Sequence, residues 1–267
     1  METAPQRLAS FLIVGRGGPI APASWERLDR LRHLFQRVVY VSPIEPGPWF
    51  KQCSLETLWV QSPWGNRNRS RNRGLDAITT GAVYLLDEDV RVGDPRIINE
   101  ALEQLLADPQ TTALAGPYLN SPEKSSHWSK AYNESSNAWS RRGRFLAGHV
   151  LLKTPSIRFD ENLLQGGEEA QVMRTYPQWA QGLRWSERFE AEHLKEMTFF
   201  EFLKKARAHG LARGPREKST KKSLPWEVRP AFWPGWILFQ AAVEMSSLYP
   251  RKTSALSPEI GVLGEDT

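Results

Sequence analysis

The apolar run Ala82-Val83-Tyr84-Leu85-Leu86 breaks abruptly into Asp87-Glu88-Asp89 before Val90. Such a run reads as a strand, and acids at its carboxyl end sit where open α/β sheets present their ligands. Side chains alternate along a strand, so Asp87 and Asp89 share one face and Glu88 points to the other. Two carboxylates on one face can hold a hard divalent cation, and that cation can hold phosphate oxygens. A solvated acidic turn after an ordinary strand would read the same way, so the surrounding chain must decide.

Short apolar runs alternate with helical patterns along most of the chain. Phe11 to Val14 reads as a buried strand ending at Gly15-Arg16-Gly17-Gly18-Pro19. Ser24 can cap a helix whose apolar face is Trp25, Leu28, Leu31 and Phe35. Val38 to Val41 is a second strand, stopped by Pro43, Pro46 and Pro48, and Leu58 to Val60 is a third. Residues 70–79 suit a helix and 82–87 a strand. Asp94-Pro95 starts a helix with a buried face of Ile97, Ile98, Ala101, Leu102, Leu105 and Leu106, closed by Asp108-Pro109. Thr112 to Gly116 is another strand. Residues 120–144 are polar and aromatic with weak periodicity and read as loop with a short helix. Phe145 to Lys153 is a strand and Gly167 to Tyr176 a helix. This order predicts an α/β fold, a mostly parallel sheet with helices on both faces.

A chain of 267 residues has ample material for one large domain or two small ones. The net charge of +5 favours anionic partners such as nucleotide diphosphates, nucleic acid or anionic lipid. Eleven Trp could line a sugar site or fill cores. A single cysteine, Cys53, excludes an intrachain disulfide and a Cys-based zinc site. No segment reaches the roughly 20 apolar residues of a membrane span, and no signal peptide is visible, so a cytoplasmic protein is expected. A basic stretch, Gly214 to Lys222, precedes an apolar segment with Trp226, Phe232, Trp233, Trp236, Ile237, Leu238 and Phe239. The expected division is therefore a main α/β domain over 1–212 and a basic linker with a helical, aromatic C-terminal extension over 213–267. Residues 216–247 would suit peripheral contact with the inner membrane face, and packing on the core explains the same aromatics.

Four motifs follow in order: Ser70-Arg71-Asn72-Arg73-Gly74-Leu75, then Asp87-Glu88-Asp89, then Gly166-Gly167-Glu168-Glu169, then His193. In order and spacing the chain resembles the family-2 glycosyltransferases of GT-A (Rossmann-like) fold, well over roughly residues 57–210 and poorly over the first 50. The resemblance implies a nucleotide-diphospho-sugar donor, a glycan or lipid-linked acceptor and a divalent metal, Mn2+ or Mg2+. It places the metal on Asp89 with Asp87 and His193, and Arg71 and Asn72 beside the donor. Asp87 then faces the ribose or a metal-bound water. The catalytic base falls on Glu169, where the family carries Asp. A Glu begins near pKa ~4.3, so burial or a neighbouring acid such as Glu168 has to raise it. In-line attack by the acceptor hydroxyl would invert the anomeric configuration.

Gly15-Arg16-Gly17-Gly18 falls short of a dinucleotide fingerprint, because Pro19 disrupts the helix start and Ile20 stands where the third glycine belongs. A tight loop whose amides touch a nucleotide is the better reading, with Gly15 on the donor side. Arg67, Arg69, Arg71 and Arg73 could capture a diphosphate or contact RNA. On a helix the four cannot share one face, so at most two should reach a ligand. The resemblance assigns Arg71 to the site, which leaves Arg67 and Arg69 to the surface, and no nucleic acid is expected. The acids that hold the donor base in the family are missing from Val41-Ser42-Pro43-Ile44-Glu45 unless Glu45 substitutes. That leaves the donor open and keeps a catalytically degenerate binding scaffold as the alternative. His149, inside an apolar strand, is a core or acceptor-side residue.

Overall fold

The computed structural model describes residues 8–18, 22–63, 65–123, 125–141, 145, 148–153, 157–163, 168–213 and 230–247. The chain runs β1 (Ala9–Val14), α1 (Pro22–Arg30), β2 (Phe35–Ser42), β3 (Glu56–Gln61), α2 (Arg67–Asp76), β4 (Ala82–Asp87) and β5 (Val90–Val92). It continues with α3 (Pro95–Ala107), β6 (Ala113–Ala115), β7 (Tyr118–Asn120), α4 (His127–Ser140), β8 (His149–Lys153), α5 (Glu168–Thr175) and α6 (Pro177–Gln181). The last elements are β9 (Leu183–Trp185), β10 (Ala191–His193), α7 (Phe199–Arg213) and α8 (Trp233–Ser247).

Seven strands form one sheet in the order β3-β2-β1-β4-β8-β6-β9, and β5-β10-β7 form a second. In the large sheet β8 runs antiparallel to β4 and β6, and the other pairs are parallel. The first three strands build outward, and the chain then returns to place β4 on the opposite side of β1. That reversal opens a crevice at the carboxyl ends of β1 and β4, where sheets of this kind bind ligands. Val14 and Asp87 are paired there.

Both faces of the sheet are covered, as the continuous apolar runs require. Phe11, Ile13, Tyr40, Tyr84 and Leu86 pack with Leu28 of α1 and Ile98, Leu102 and Leu105 of α3. Leu12, Val14, Val39, Val41, Val83 and Leu85 pack with Leu75 of α2, Val172 of α5 and Trp179 of α6. Helix α2 has almost no apolar face and reaches the sheet through Gly74. A Cβ there would lie 2.2 Å from Leu12 Cδ1 and 2.9 Å from Val41 Cγ2, so a side chain would push the helix off the strands. A third cluster joins Ala131 of α4, Phe202 and Ala206 of α7, and Phe239 and Val243 of α8. The C-terminal aromatic segment thus packs on the rest of the chain. No helix among the described residues is long and apolar enough to cross a membrane.

Several boundaries differ from expectation. Helix α1 begins at Pro22, so Ser24 is inside its first turn instead of capping it. Helix α2 begins at Arg67, capped by Asn66, whose side chain accepts from the Arg69 amide. The largest difference is α4, a 14-residue helix in the stretch expected to be mostly loop. Its buried face is polar (Ser129, Asn133, Ser135, Ser136, Asn137, Ser140), so the apolar periodicity that betrays a helix is missing. Strand β8 starts at His149, not Phe145. Strands β5, β7, β9 and β10 have three residues each, too few for a period of two to show. Pro19, Ile20, Gly166, Gly167, the basic run Gly214 to Lys222 and Trp226 lie outside the described residues.

His149 is fully buried, with Nε2 2.9 Å from the Phe189 carbonyl and Nδ1 2.8 Å from the Tyr84 hydroxyl. A carbonyl only accepts, so Nε2 carries the proton and Nδ1 accepts from Tyr84. Burial pushes its pKa down to about 4, with the Phe189 bond opposing. Between that value and the unfolded ~6.5 only the unfolded chain takes up a proton, so this contribution is whole above ~6.5 and is lost as pH falls. Lowering the pH from ~6.5 to ~5 should cost on the order of 2 kcal/mol. Urea titrations at neutral and mildly acidic pH check this. The loss should shrink in His149→Gln, and an equal loss in both proteins would clear His149 as its source.

Candidate active site

The three acids at the end of β4 point to three places. The Asp87 amide donates to the Gly148 carbonyl and the Glu88 amide to the Val14 carbonyl, which holds the turn at the sheet's edge. Asp87 Oδ1 accepts from Arg71 Nη2 at 3.2 Å, and its Oδ2 accepts from Arg67 Nη1 at 3.1 Å. Glu88 turns away, its Oε2 accepting from the Arg16 amide at 2.7 Å and the Tyr40 hydroxyl at 3.3 Å. Asp89 faces His193, with Oδ2 3.8 Å from Nε2. The alternation read from the sequence therefore separates Glu88 from its neighbours, while Asp87 and Asp89 meet different partners on the site side.

Arg67 and Arg71 lie one helical turn apart and share a side of α2. Arg71 is 1% exposed, with Nη1 3.0 Å from Glu168 Oε1 and 3.4 Å from Asn68 Oδ1. Burial opposes its charge, but Asp87 and Glu168 outweigh that and hold it above the ordinary arginine range. Arg67, expected at the surface, is turned inward by Asp87, which also raises its pKa. Arg69 does lie at the surface, paired with Glu161 at 3.1 Å.

Two residues expected on the donor side are engaged elsewhere. Asn72 donates to the Phe159 carbonyl at 2.8 Å and accepts from the Phe159 amide at 2.9 Å, tying α2 to the segment before α5. The Gly15 amide donates to the Val41 carbonyl, and the Arg16 and Gly17 amides donate to Glu88 and Tyr40. Gly15 matters for room: a Cβ there would fall 2.4 Å from both Glu88 Oε2 and the Tyr40 hydroxyl.

His193 arrives from the second sheet. It ends β10, pairs with Val90 of β5, and the next amide, Leu194, donates to the Asp89 carbonyl at 2.8 Å. Burial alone would raise the Asp89 carboxyl. His193 when protonated, then Arg67 and Lys205, hold it well below the usual carboxylate range. Lys205 of α7 lies 6.0 Å from the Tyr132 ring, which is 6.1 Å from the His193 ring. Burial and then Arg67 lower the Lys205 pKa, and burial and then Lys205 lower that of Lys195. Arg67, Lys195 and Lys205 thus crowd positive charge beside Asp89. Glu168 and Glu169 open α5 and point about 100° apart. Glu168 is buried against Arg71, whereas Glu169 is half-buried and acts electrostatically on Arg71, Tyr132 and Tyr118.

Among the described residues no three His, Cys, Asp or Glu side chains form a metal cage. The Asp89 carboxylate and His193 imidazole still fit a divalent cation that takes its other ligands from water and phosphate, as Mg2+ and Mn2+ do at phosphate sites. Asp87, with both oxygens against guanidinium groups, fits that role less well than the sequence implied.

No protein-family model matches the chain, and no curated protein sequence does. Solved structures do. The mannosyltransferase PcManGT from Pyrobaculum calidifontis, solved with GDP-Man and Mn2+, superposes with a TM-score of 0.56 at 16% identity over 90% of this chain and 73% of its own. Mannosyl-3-phosphoglycerate synthase from Rubrobacter xylanophilus gives 0.54 at 12% identity, over 81% of this chain and 78% of its own. Glucosyl-3-phosphoglycerate synthase from Mycobacterium tuberculosis gives 0.53 at 11%, over 78% of each chain. The chain has the GT-A fold. On this GT-A scaffold the sheet reversal brings together Arg71, Asp87, Asp89, Glu168 and His193, and leaves Asn72 and Gly15 behind them. Lys195, Lys205, Asn133 and Tyr132 join the site without a motif to announce them. For Arg67 the signal was its spacing from Arg71.

Arg71 makes the most exacting test of this GT-A site. Arg71→Met would leave Asp87 and Glu168 buried beside one another without their shared cation. Breaking a buried ion pair costs about 3–5 kcal/mol, so urea denaturation should show a loss of that order. Arg71→Lys, with one ammonium for two carboxylates, should fall between. A fully stable Arg71→Met protein would mean that the guanidinium does not hold the two elements together.

Proposed function

We propose that this chain is a glycosyltransferase that moves a sugar from a nucleotide-diphosphate donor to an acceptor hydroxyl with inversion. The observation that carries this reading is the meeting of Asp89 and His193 with Arg67, Lys195 and Lys205 at the sheet reversal of a GT-A fold. Neighbours of the same fold were solved with GDP-Man and Mn2+ and with UDP-Glc and Mn2+. Asp89 and His193 would hold a divalent cation, Mn2+ or Mg2+. Bound there, such a cation supplies charge stabilisation for the leaving diphosphate.

The protein's own groups divide the remaining work. Lys195, Lys205 and Arg67 face the donor phosphates. Each Asp87 oxygen keeps a lone pair beyond its guanidinium bond, enough to accept from a ribose hydroxyl. Glu168 is tied to Arg71, which leaves Glu169 to take the proton from the acceptor hydroxyl as it attacks. Gly15 lets Glu88 and Tyr40 close the loop after β1, and Asn72 secures the segment leading to α5. A non-catalytic nucleotide-sugar scaffold is a second reading, favoured by one observation: the amides of residues 15–17 all donate within the chain.

Calorimetry with GDP and UDP, with Mn2+ or EDTA, tests the first reading. One nucleotide should bind in the presence of metal and lose that binding in Asp89→Ala. Absence of binding by either nucleotide under all conditions would defeat it. In a hydrolysis or transfer assay with GDP-mannose and UDP-glucose, Glu169→Gln should lower turnover by about 100-fold or more and leave donor affinity in place. Donor binding without turnover in the wild type would favour the scaffold.

Lys205→Met should weaken binding of the preferred nucleoside diphosphate by about 10-fold, the scale of one charge-assisted hydrogen bond. Its affinity should also depend less on salt than that of the wild type. Unchanged affinity would remove Lys205 from the phosphate site.

A further inference from the structure

Asn133 lies on the buried polar face of α4 and is 1% exposed. Its Nδ2 donates to Asn120 Oδ1 at 2.9 Å, so its amide oxygen faces the other way. That oxygen is 2.9 Å from His193 Nδ1. An amide oxygen can only accept, so Nδ1 carries the proton, and a neutral imidazole then has a bare lone pair on Nε2. That lone pair faces Asp89 Oδ2 at 3.8 Å, too long for a useful hydrogen bond. Two electron-rich atoms held face to face in this way are stabilised by a cation between them.

The surrounding chain fixes this arrangement at several points. Asn120 and His193 are register partners between β7 and β10. The Tyr118 ring stacks on His193 with centroids 4.9 Å apart and planes 20° apart. Tyr118 is in turn clamped to α4, its amide donating to Asn137 Oδ1 at 2.8 Å and its carbonyl accepting from Asn137 Nδ2 at 2.9 Å. Asn133 and Asn137, one helical turn apart, therefore align α4 with β7 and orient the imidazole from both its edge and its face.

We infer that Asn133 is a positioning residue that locks the His193 tautomer and so prepares Asp89 and His193 to take a divalent cation before any nucleotide arrives. The inference rests on the metal-dependent reading above and extends it to a residue outside the acidic motif. Partners that orient a ligating imidazole typically contribute 10–100-fold in metal affinity.

Binding of Mn2+ alone, followed by loss of the free-ion electron paramagnetic resonance signal, tests it without turnover. Asn133→Leu should bind Mn2+ about 10–100-fold more weakly than wild type. Asn133→Asp, which keeps the acceptor at Nδ1, should bind at least as tightly as wild type, a rescue that general loosening of α4 would not produce. In metal-free wild-type protein at about pH 8, imidazole 15N shifts should show His193 protonated on Nδ1. This measurement needs no variant to fold. His193 protonated on Nε2, or Asn133→Leu binding Mn2+ like the wild type while Asp89→Ala does not, overturns the inference alone. Wild type and Asp89→Ala binding Mn2+ alike would overturn the metal reading and the inference with it.

Discussion

The site is organised around one buried cation. Arg71 has no route to water, so its charge must be balanced where it stands, and Asp87 of β4 and Glu168 of α5 balance it from two sides. Those contacts tie three elements that are far apart in sequence. They also dictate how close α2 must lie to the sheet, and the absence of a side chain at Gly74 permits that distance. Helix α2 has too little apolar surface to dock by burial alone. Its remaining hold comes from Asn68 and Asn72, which bond to residues 159–163. The members of this polar network share partners across α2, β4 and α5, so the wall of the site forms as a unit.

The opposite wall repeats the principle with neutral groups. Helix α4 turns Ser and Asn inward, and Asn133 and Asn137 meet β7 and the end of β10. Directional bonds fix rotation and register more tightly than apolar contact does, which suits a helix that must orient an imidazole. The apolar anchoring of this part of the molecule comes from the other side of α4, through Ala131 against α7 and α8. The C-terminal aromatic segment is therefore connected to the site. It helps to place α7, which carries Lys205 toward Asp89.

This difference between apolar and polar docking explains what could be read in advance. Strands β1, β2, β4 and β8 announce themselves because Phe11–Val14, Val38–Val41, Ala82–Leu86 and Val150–Leu152 must be dry on both faces. Helix α3 is equally legible, with an Asp-Pro start and a regular apolar stripe. Helix α4 was not, since a helix that buries Asn and Ser has the composition of a loop. The three-residue strands that deliver His193 and Tyr118 owe their existence to pairing across the second sheet, which no local pattern encodes. Order along the chain named Arg71, Asp89, Glu168 and His193, and the sheet reversal draws these residues toward one another. Arg67 follows once Arg71 is placed, because residues four apart share a helix face and Arg69, two away, does not.

Arg71 also separates the members of two acidic pairs. The resemblance sets Asp87 beside Asp89 at the metal and Glu168 beside the base Glu169. The guanidinium takes one member of each pair, Asp87 and Glu168, and holds it as a counter-ion. Of the other members, Asp89 faces His193, and Glu169 is half-buried and acts on Tyr132 and Tyr118. Burying one arginine against two of these acids thus gives carboxylates of the same chemistry different surroundings, and it does so by geometry, because neighbours on a strand or a helix cannot point the same way.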